Sequence, residues 1–288
     1  MKPSPYQISA FNHAAREGSF SRAAVRLGVS QSSITQHVSN LEKTIGSQLF
    51  IRRRDGLELT RVGRDLFGIS DRLVTIEQLI EEKIESYGSL TQGILRIAAT
   101  APRPAMPIIQ RFTAGNPGID IEFSLFSWTL CSQMLRDRTI DIAIFTAPEP
   151  AKGLYIRQIS QTRYLAYCRK DHRLAGRSSI SLMELAREFI ILPEDGSLTQ
   201  RVFNQKLAEC GATIRGSMKT TTFPVLKEAV LHGIGIGILL EDSLYPTNNL
   251  VGLPILEMAE TYDDCLVTQS DKQDLRLVRQ FLEVANAI

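Results

Sequence analysis

The chain has 288 residues, 43% of them hydrophobic and 22% charged, which is an ordinary composition for one to three globular domains without low-complexity tracts. Residues 1–60 carry eight Lys or Arg and four acids, so this part is basic although the whole chain has a net charge of only +2. A basic N-terminal part favours nucleic-acid binding. No stretch has the pattern of a signal peptide or a membrane span, which predicts a cytoplasmic protein.

Three short helices are predicted first, over residues 5–16, 20–27 and about 31–43, from the helical spacing of their apolar residues. Gly28 suits the tight turn between the second and third helices, and Ser30 can cap the third. The third helix turns Ile34, Val38 and Leu41 inward and leaves small polar side chains outside. Two helices in this relation form a helix-turn-helix, whose second helix enters the major groove of DNA.

A hairpin and a long helix are predicted next. Asp55-Gly56 lies between short apolar arms, which is a strong hairpin signal and places arginines at the tip of a wing. Thr60 can cap a helix from Arg61 to about Ser86, along which apolar residues recur at steps of three and four. Such a seam favours a dimer contact. The alternative is packing of this face against the chain's own core. The seam residues are Leu66, Ile69, Leu73, Ile76 and Ile80.

The remainder of the chain alternates predicted strands and helices. A hinge is expected at 88–93, followed by strands at 94–99, 119–126, 140–145, 164–168, 189–192 and 264–268, with helices between them and at 273–286. This alternation predicts a mostly parallel α/β structure. If the last strand and helix return to the first sheet, the result is two α/β lobes with a cleft between them.

The four cysteines give no sign of catalysis. Cys131, Cys168, Cys210 and Cys265 are widely spaced, without a CxxC pair or clustered histidines, which favours reduced thiols that are buried or half-buried. A redox sensor is the alternative but lacks a neighbouring cysteine to pair with. No metal-ligand or nucleophile–base set has usable spacing, and the glycines of 233–237 lack the GxGxxG spacing of a nucleotide loop. Neither an enzyme nor a cofactor is therefore predicted.

The sequence resembles the LysR-type transcriptional regulators along almost its whole length. The most specific matches are Phe11-x-x-Ala14-Ala15-x-x-Gly18-Ser19-Phe20-Ser21, Leu27-x-x-Ser30-Gln31, Ile45-Gly46-x-x-Leu49-Phe50-x-x-Arg53 and Leu59-Thr60-x-x-Gly63, with looser matches at Asp141-Ile142-Ala143, Asp171-His172 and Val230-x-x-Gly233-Ile234-Gly235. Ser32 departs from the family, which commonly has proline there. A solute-binding receptor is the competing interpretation, disfavoured by the helix-turn-helix and by the missing signal peptide.

The resemblance implies an α+β protein in three parts. These are a winged helix-turn-helix at 1–60, a dimerising linker helix at 61–87 and, after the hinge, an effector domain at 94–288 similar to periplasmic binding proteins. Its lobe 1 is expected at about 94–163 plus 267–288, and its lobe 2 at about 164–266. The resemblance also implies dimers, assembled into tetramers, that bend an operator DNA and affect recruitment of RNA polymerase when an effector binds.

The expected DNA contacts are polar residues of the helix-turn-helix and arginines of the wing. Gln31, Ser33, Thr35 and Gln36 are candidates for base contacts, since Gln can pair with adenine and a Thr methyl can touch thymine. Without the resemblance they are equally well a solvated face. Ser19, Ser21, Arg22 and the wing arginines at 52–54 are candidates for phosphate, and Arg53 alternatively for a structural ion pair. The full set is Ser19, Ser21, Arg22, Gln31, Ser32, Ser33, Thr35, Gln36, Arg52, Arg53 and Arg54.

The expected effector contacts lie where predicted strands lead into helices, because open α/β sheets bind ligands there and helix N-termini favour anions. The alternative is that these are ordinary caps and turns. The set is Thr100, Ala101, Pro102, Arg103, Ser127, Trp128, Thr129, Gly196, Ser197, Arg201, Thr221 and Thr222. A small organic anion is the expected effector. The pattern around 95–107 also resembles the LysR branch associated with aminoethylphosphonate catabolism, while small carboxylates remain an open alternative.

Overall fold

The structure, a computed structural model, describes residues 2–53, 56–85, 93–221, 223–243 and 247–286, with only the backbone at 83–85. Arg54, Thr222 and most of the predicted hinge lie outside the described residues. The N-terminal part, hereafter the head, contains three helices and a hairpin, as predicted. Its elements are α1 (Pro5–Glu17), α2 (Phe20–Leu27), α3 (Gln31–Ile45), β1 (Phe50–Arg53) and β2 (Gly56–Leu59), and α4 (Arg61–Glu85) follows them.

The short helices α2 and α3 begin at serines that cap them, and α2 ends at a glycine in a left-handed conformation. Ser19 caps α2 and Ser30 caps α3, each accepting a hydrogen bond from a backbone N–H of the first turn. Gly28 ends α2 with a φ of 65°, a left-handed conformation that side chains with a Cβ rarely adopt. Phe11 packs at the centre of the head, with its ring 5.5 Å from that of Phe50. The turn of the helix-turn-helix is thus set by local sequence.

The linker helix α4 has one buried and one exposed face. Phe67, Ser70, Asp71 and Val74 are buried against the rest of the chain. On the opposite face, Ile69 is 73% exposed, and three further apolar side chains continue the exposed stripe: Leu73, Ile76 and Ile80. Leu66 differs from the other predicted seam residues, because it is half-buried against the core of the head. The exposed part of the seam therefore begins at Ile69.

In the described part of the effector domain, nine strands form one sheet that passes through two lobes. The strand order is β4-β3-β5-β11-β6-β9-β7-β8, with β10 beside β6. The strands are β3 (Gly93–Ala99), β4 (Ile119–Leu125), β5 (Ile142–Thr146), β6 (Leu154–Arg169), β7 (Phe189–Pro193), β8 (Gly216–Thr220), β9 (Ile236–Leu240), β10 (Leu250–Pro254) and β11 (Thr261–Gln269). The helices are α5 (Pro102–Gly115), α6 (Trp128–Arg136), α7 (Leu182–Leu185), α8 (Leu198–Glu209), α9 (Phe223–Leu231) and α10 (Arg276–Asn286).

Two strands connect the lobes. β11 pairs with β5 in lobe 1, which confirms the predicted return of the last strand to the first sheet, and it runs antiparallel to the first part of β6. The last part of β6 pairs with β9 and β10 of lobe 2. Among the described strands, parallel pairing is confined to β4-β3-β5 and β8-β7-β9. The sheet is therefore less parallel than the sequence predicted, because the crossing strands run against both parallel sets.

Each lobe is covered by helices on both faces of its strands. In lobe 1, α5 and α10 share one core, where the rings of Phe112 and Phe281 lie 5.3 Å apart, and α6 covers a second core with Leu135. In lobe 2, Phe203 of α8 and Leu226 of α9 occupy the two corresponding cores. The four cysteines carry free thiols, as predicted. None of the described helices is long and apolar enough to cross a membrane.

Candidate DNA-binding surface and effector cavity

The outer face of α3 carries the residues predicted to contact bases. Gln36 is exposed and its Nε2 donates to Oδ1 of Asn40 at 3.0 Å, while the hydroxyl of Thr35 donates to the carbonyl of Gln31 at 3.0 Å. Oε1 of Gln31 accepts from the hydroxyl of Ser21 at 2.8 Å, which links the predicted contacts on α2 and α3. These weak, exposed partners can be exchanged for DNA groups. Ser32 and Ser33 lie in the same first turn.

The predicted phosphate contacts surround this face. Ser19 is used as the cap of α2, and the guanidinium of Arg22 donates to the carbonyl of Glu17. In the wing, Arg52 lies over the ring of Phe20 at 5.5 Å, and Arg53 forms an exposed ion pair with Glu58 at 3.0 Å. An exposed ion pair of this kind is worth little, so it leaves Arg53 available to phosphate. The described candidates therefore lie on α2, α3 and β1 or at the caps of these helices, and their contacts with DNA remain a prediction.

A cavity of about 720 Å³ lies between the two lobes of the effector domain. Six of the predicted effector contacts line it, at the carboxyl ends of strands and the starts of helices. These six are Thr100, Pro102, Ser127, Trp128, Ser197 and Thr221. Its walls are mostly apolar, which is typical of a small-molecule site with a few orienting polar groups.

Four helix N-termini converge on the cavity, two from each lobe. Pro102 begins α5 and Trp128 begins α6 in lobe 1, while Leu198 begins α8 and Phe223 begins α9 in lobe 2, and all four line the cavity. A helix N-terminus carries about half a positive charge, so their convergence favours an anion, although Pro102 and Pro104 of α5 and Pro224 of α9 have no backbone N–H to donate. The cavity thus lies at the helix starts where the effector contacts were predicted, and binding of an effector there remains a prediction.

The charged lining residues were absent from the sequence prediction. Lys227 lies one turn into α9, half-buried, and forms no ion pair among the described residues. Glu194 is half-buried in the lining, while Glu228 is exposed at the rim. The side-chain hydroxyls of Thr146, Thr199 and Ser243 also line the cavity, and the sequence analysis had not predicted them. Lys227 could have been predicted from the sequence, because it follows the predicted start of α9 at Phe223 by one helical turn and therefore lies on the same side of the helix.

Several predicted effector contacts instead join the lobes. Nη1 of Arg103 donates to the carbonyl of Glu241 at 2.9 Å and lies 3.7 Å from Asp242. The hydroxyl of Thr129 donates to the carbonyl of Gly196 at 3.4 Å. The prediction that Ala101, Arg103, Thr129, Gly196 and Arg201 line the effector site is therefore corrected: none lines the cavity, and all but the buried Ala101 bridge lobe 1 and lobe 2.

A buried carboxyl group supports the wall of the cavity near the crossing strands. Asp264 of β11 is 2% exposed and accepts hydrogen bonds from the hydroxyls of Thr146 and Ser160. The pKa of Asp264 is raised to about 6 because burial and the neighbouring Asp242, which raise it, outweigh the two hydroxyls, which lower it. Since Thr146 also lines the cavity, this acid lies directly behind the site.

A winged head joined through a long helix to a two-lobed, cavity-bearing domain is the architecture of a DNA-binding regulator that responds to a ligand. Two family models match the chain: the bacterial regulatory helix-turn-helix protein of the lysR family over residues 6–64, and the LysR substrate binding domain over 88–287. The chain belongs to the LysR family of transcriptional regulators. It is a regulator with a helix-turn-helix for DNA and a separate domain for a small-molecule effector, not an enzyme.

Relatives with assigned roles agree with this family. The chain is 30% identical to the RuBisCO operon transcriptional regulator of Allochromatium vinosum over 235 residues, covering 81% of this chain and 78% of the relative. It is 30% identical to the regulator XapR of Escherichia coli, covering 83% and 82%. A full-length OxyR variant of Pseudomonas aeruginosa superimposes with a TM-score of 0.81 at 18% identity, covering 99% and 95%. That structure supports the fold alone.

Proposed function

We propose that a small organic anion binds in the cavity between the lobes and thereby controls how the chain binds and bends its operator. The observation that carries this proposal is the convergence of four helix N-termini, from both lobes, on one cavity. An anion held by groups from both lobes stabilises the closed arrangement, because it interacts more strongly with that arrangement than with an open one. Lys227 supplies the full positive charge among these groups.

The chemistry of the lining favours an anion that also carries an amine. Glu194 and Glu228 would repel a simple dianion but would attract an ammonium group, while Lys227 and the helix N-termini attract the acid group. A zwitterion such as 2-aminoethylphosphonate satisfies both, which supports the branch resemblance in the sequence. A small carboxylate is the second candidate, since a carboxylate also accepts from backbone N–H groups.

The wider organisation follows from the family role. We propose the division at 1–60, 61–87 and 94–288, with lobe 1 at about 94–163 plus 267–288 and lobe 2 at about 164–266. The exposed stripe from Ile69 to Ile80 supports a dimer through α4. Assembly into tetramers, contact with RNA polymerase, location in the cytoplasm and independence of any cofactor other than the effector belong to the same proposal.

A thermal-shift experiment on the full chain tests the anion. The probes are 2-aminoethylphosphonate, succinate, glucose and adenosine at equal concentrations. A probe at 100 times its Kd stabilises the folded state by about 2.7 kcal/mol. We expect the phosphonate, or failing that the carboxylate, to raise Tm by several degrees. The Lys227→Met variant should lose this rise, whereas Lys170→Met, at an exposed lysine of lobe 2, should keep it. A shift with only glucose or adenosine contradicts the proposal.

A further inference from the structure

A buried carboxylate joins the head to the effector domain. Asp71, on the inner face of α4, has no exposed surface and lies between two guanidinium groups. One belongs to Arg16 of α1, whose Nε is 2.5 Å from Oδ1 of Asp71. The other belongs to Arg138 of lobe 1, whose Nε donates to Oδ2 of the same carboxylate. One acid on the linker helix therefore binds both flanking parts of the chain.

On the effector-domain side of this contact, Arg138 is held by several hydrogen bonds. Arg138 is 4% exposed, and its Nη2 donates to the hydroxyl of Thr75 on α4 at 3.0 Å and to Asp271 at 2.7 Å. Asp271 lies two residues after the end of β11, a strand that connects the lobes. Burial raises the pKa of Asp271, but the hydrogen bond and charge of Arg138 outweigh burial and lower it. Both ends of this ion pair are therefore held charged.

The head side is fixed as well. Nδ2 of Asn12, on α1, donates to the backbone carbonyl of Ser70 at 2.9 Å, and the hydroxyl of Ser70 donates to Oδ1 of Asn12 at 2.6 Å. Both side chains are buried. Buried hydrogen-bonded pairs resist sliding, because any displacement leaves polar groups without water or a partner. The angle between α1 and α4 is therefore set by a polar contact as well as by packing.

The contact also lies at one end of the helix that begins at the cavity. Trp128 starts α6 in the cavity lining, α6 ends at Arg136, and Arg138 follows two residues later with a φ of 56°. A nine-residue helix spans roughly 13 Å at about 1.5 Å per residue and moves as a unit. The ion pair with Asp71 is thus joined to the effector cavity by one rigid element.

We propose that Asp71 and Arg138 are positioning residues that hold the DNA-binding head at a fixed angle to the effector domain. Neither contacts DNA in this role, since both are buried away from the outer face of α3. By fixing the angle of each head, they set the distance and orientation at which the two heads of a dimer bind two half-sites of an operator. Dimeric binding of this kind is sharply dependent on the spacing of the half-sites only when the heads are held rigidly.

The test separates binding by one head from binding by two. Operator duplexes are selected by the wild-type full chain from a random pool. The affinity of each protein is then measured for a single half-site, for the full site and for the full site with two inserted base pairs. For Arg138→Met we expect single-site affinity within twofold of wild type, full-site affinity at least fivefold weaker, and a penalty for the insertion that shrinks at least threefold.

Two further variants complete the test. Arg136→Met, at the exposed last residue of α6, removes an arginine from the same helix end and should behave as wild type in all three measurements. Asp271→Asn weakens the ion pair that orients Arg138 but leaves Arg138 and Asp71 in place. We expect full-site affinity and the insertion penalty to change in the same direction as in Arg138→Met, but by less. If Arg138→Met fails to fold, Asp271→Asn alone decides.

Two results would overturn the proposal. One is an unchanged dependence on half-site spacing in Arg138→Met and Asp271→Asn. The other is an equal loss of affinity for single and full sites in a folded variant, which would mean that the buried contact supports only the fold of the head.

Discussion

The guanidinium of Arg201, on α8 of lobe 2, lies over the indole ring of Trp128, on α6 of lobe 1, with 4.6 Å between Cζ and the ring centroid. The Trp128 indole N–H donates to the carbonyl of Thr146 at 3.0 Å, so the ring is fixed on its own lobe. The cation therefore holds lobe 2 against a rigid platform at the rim of the cavity. This contact turns a residue expected to bind the effector into one that sets the separation of the lobes.

Replacing Arg201 by Met should weaken the contact between the lobes and leave every residue that lines the cavity unchanged. The cation–π contact is exposed, so its loss should lower the free energy of unfolding by about 0.5–1 kcal/mol. Urea denaturation of the full chain measures this change. Arg187→Met, at an exposed arginine of the same lobe, is the control and should stay within about 0.5 kcal/mol of wild type. Equal losses in both variants would show that the interlobe contact contributes nothing.

The buried Asp264 should make stability depend on pH in an unusual direction. Its pKa is raised to about 6 in the folded chain, above the ordinary value of 3.8, so the folded state binds this proton more tightly than the unfolded state. Its contribution to stability is therefore present below pH 4 and is lost as pH rises from about 4 to 6. A rise of this size corresponds to roughly 3 kcal/mol of destabilisation at neutral pH.

The Asp264→Asn variant should remove this pH-dependent loss. Its amide oxygen can still accept from Thr146, so we expect its Tm to exceed that of wild type at pH 7.5 and the advantage to disappear near pH 4. Thermal unfolding at several pH values checks the difference. Asp263→Asn is the matched control, because Asp263 is the exposed neighbour on the same strand. A constant difference in Tm at every pH would contradict the raised pKa.

The outer face of α3 should carry sequence discrimination. Ala substitutions at Thr35 and Gln36 remove a methyl and an amide that can contact base edges, and a bidentate pair between the amide and adenine is worth about 1–3 kcal/mol of discrimination. We expect operator affinity to fall at least tenfold while affinity for random DNA changes little. Competition binding at fixed salt measures both, and Lys43→Ala, at the other end of α3, provides the comparison. Equal losses on operator and random DNA would assign these residues to phosphate or to structure.

The exposed stripe of α4 should hold the dimer together. Leu73 and Ile76 are each about half exposed in the single chain, at 51% and 52%. Replacing both with Ser removes apolar surface worth about 3 kcal/mol, which weakens the dimer Kd by roughly 100-fold. Analytical ultracentrifugation over a concentration series detects this. The exposed pair Glu77→Ser and Glu81→Ser lies on the same helix and should leave association unchanged. Unaltered association of the Leu73 and Ile76 variant would place the dimer contact elsewhere.

The head was predictable because its signals are local. Ser19, Gly28 and Ser30 act within one helical turn, and the observed caps and turn lie at these residues. The lobes were less predictable. The first half of β6 and the whole of β8, β9 and β10 were missed by the sequence analysis, since Gly216–Thr220 is largely polar and Gly237 interrupts the apolar run Ile236–Leu240. Such strands are stabilised by their neighbours in the sheet, which lie far away in sequence.

The sequence by itself determined the family, the helix-turn-helix, the exposed apolar stripe and the helix starts that line the cavity, because each depends on patterns within a few turns or on an extended family motif. Only the tertiary structure shows which partners the charged side chains contact. Arg103 and Arg201 became contacts between lobes, Lys227 entered the cavity, and Asp71 came to lie between two arginines. A charged side chain takes its role from partners tens of residues away, and no local pattern encodes them.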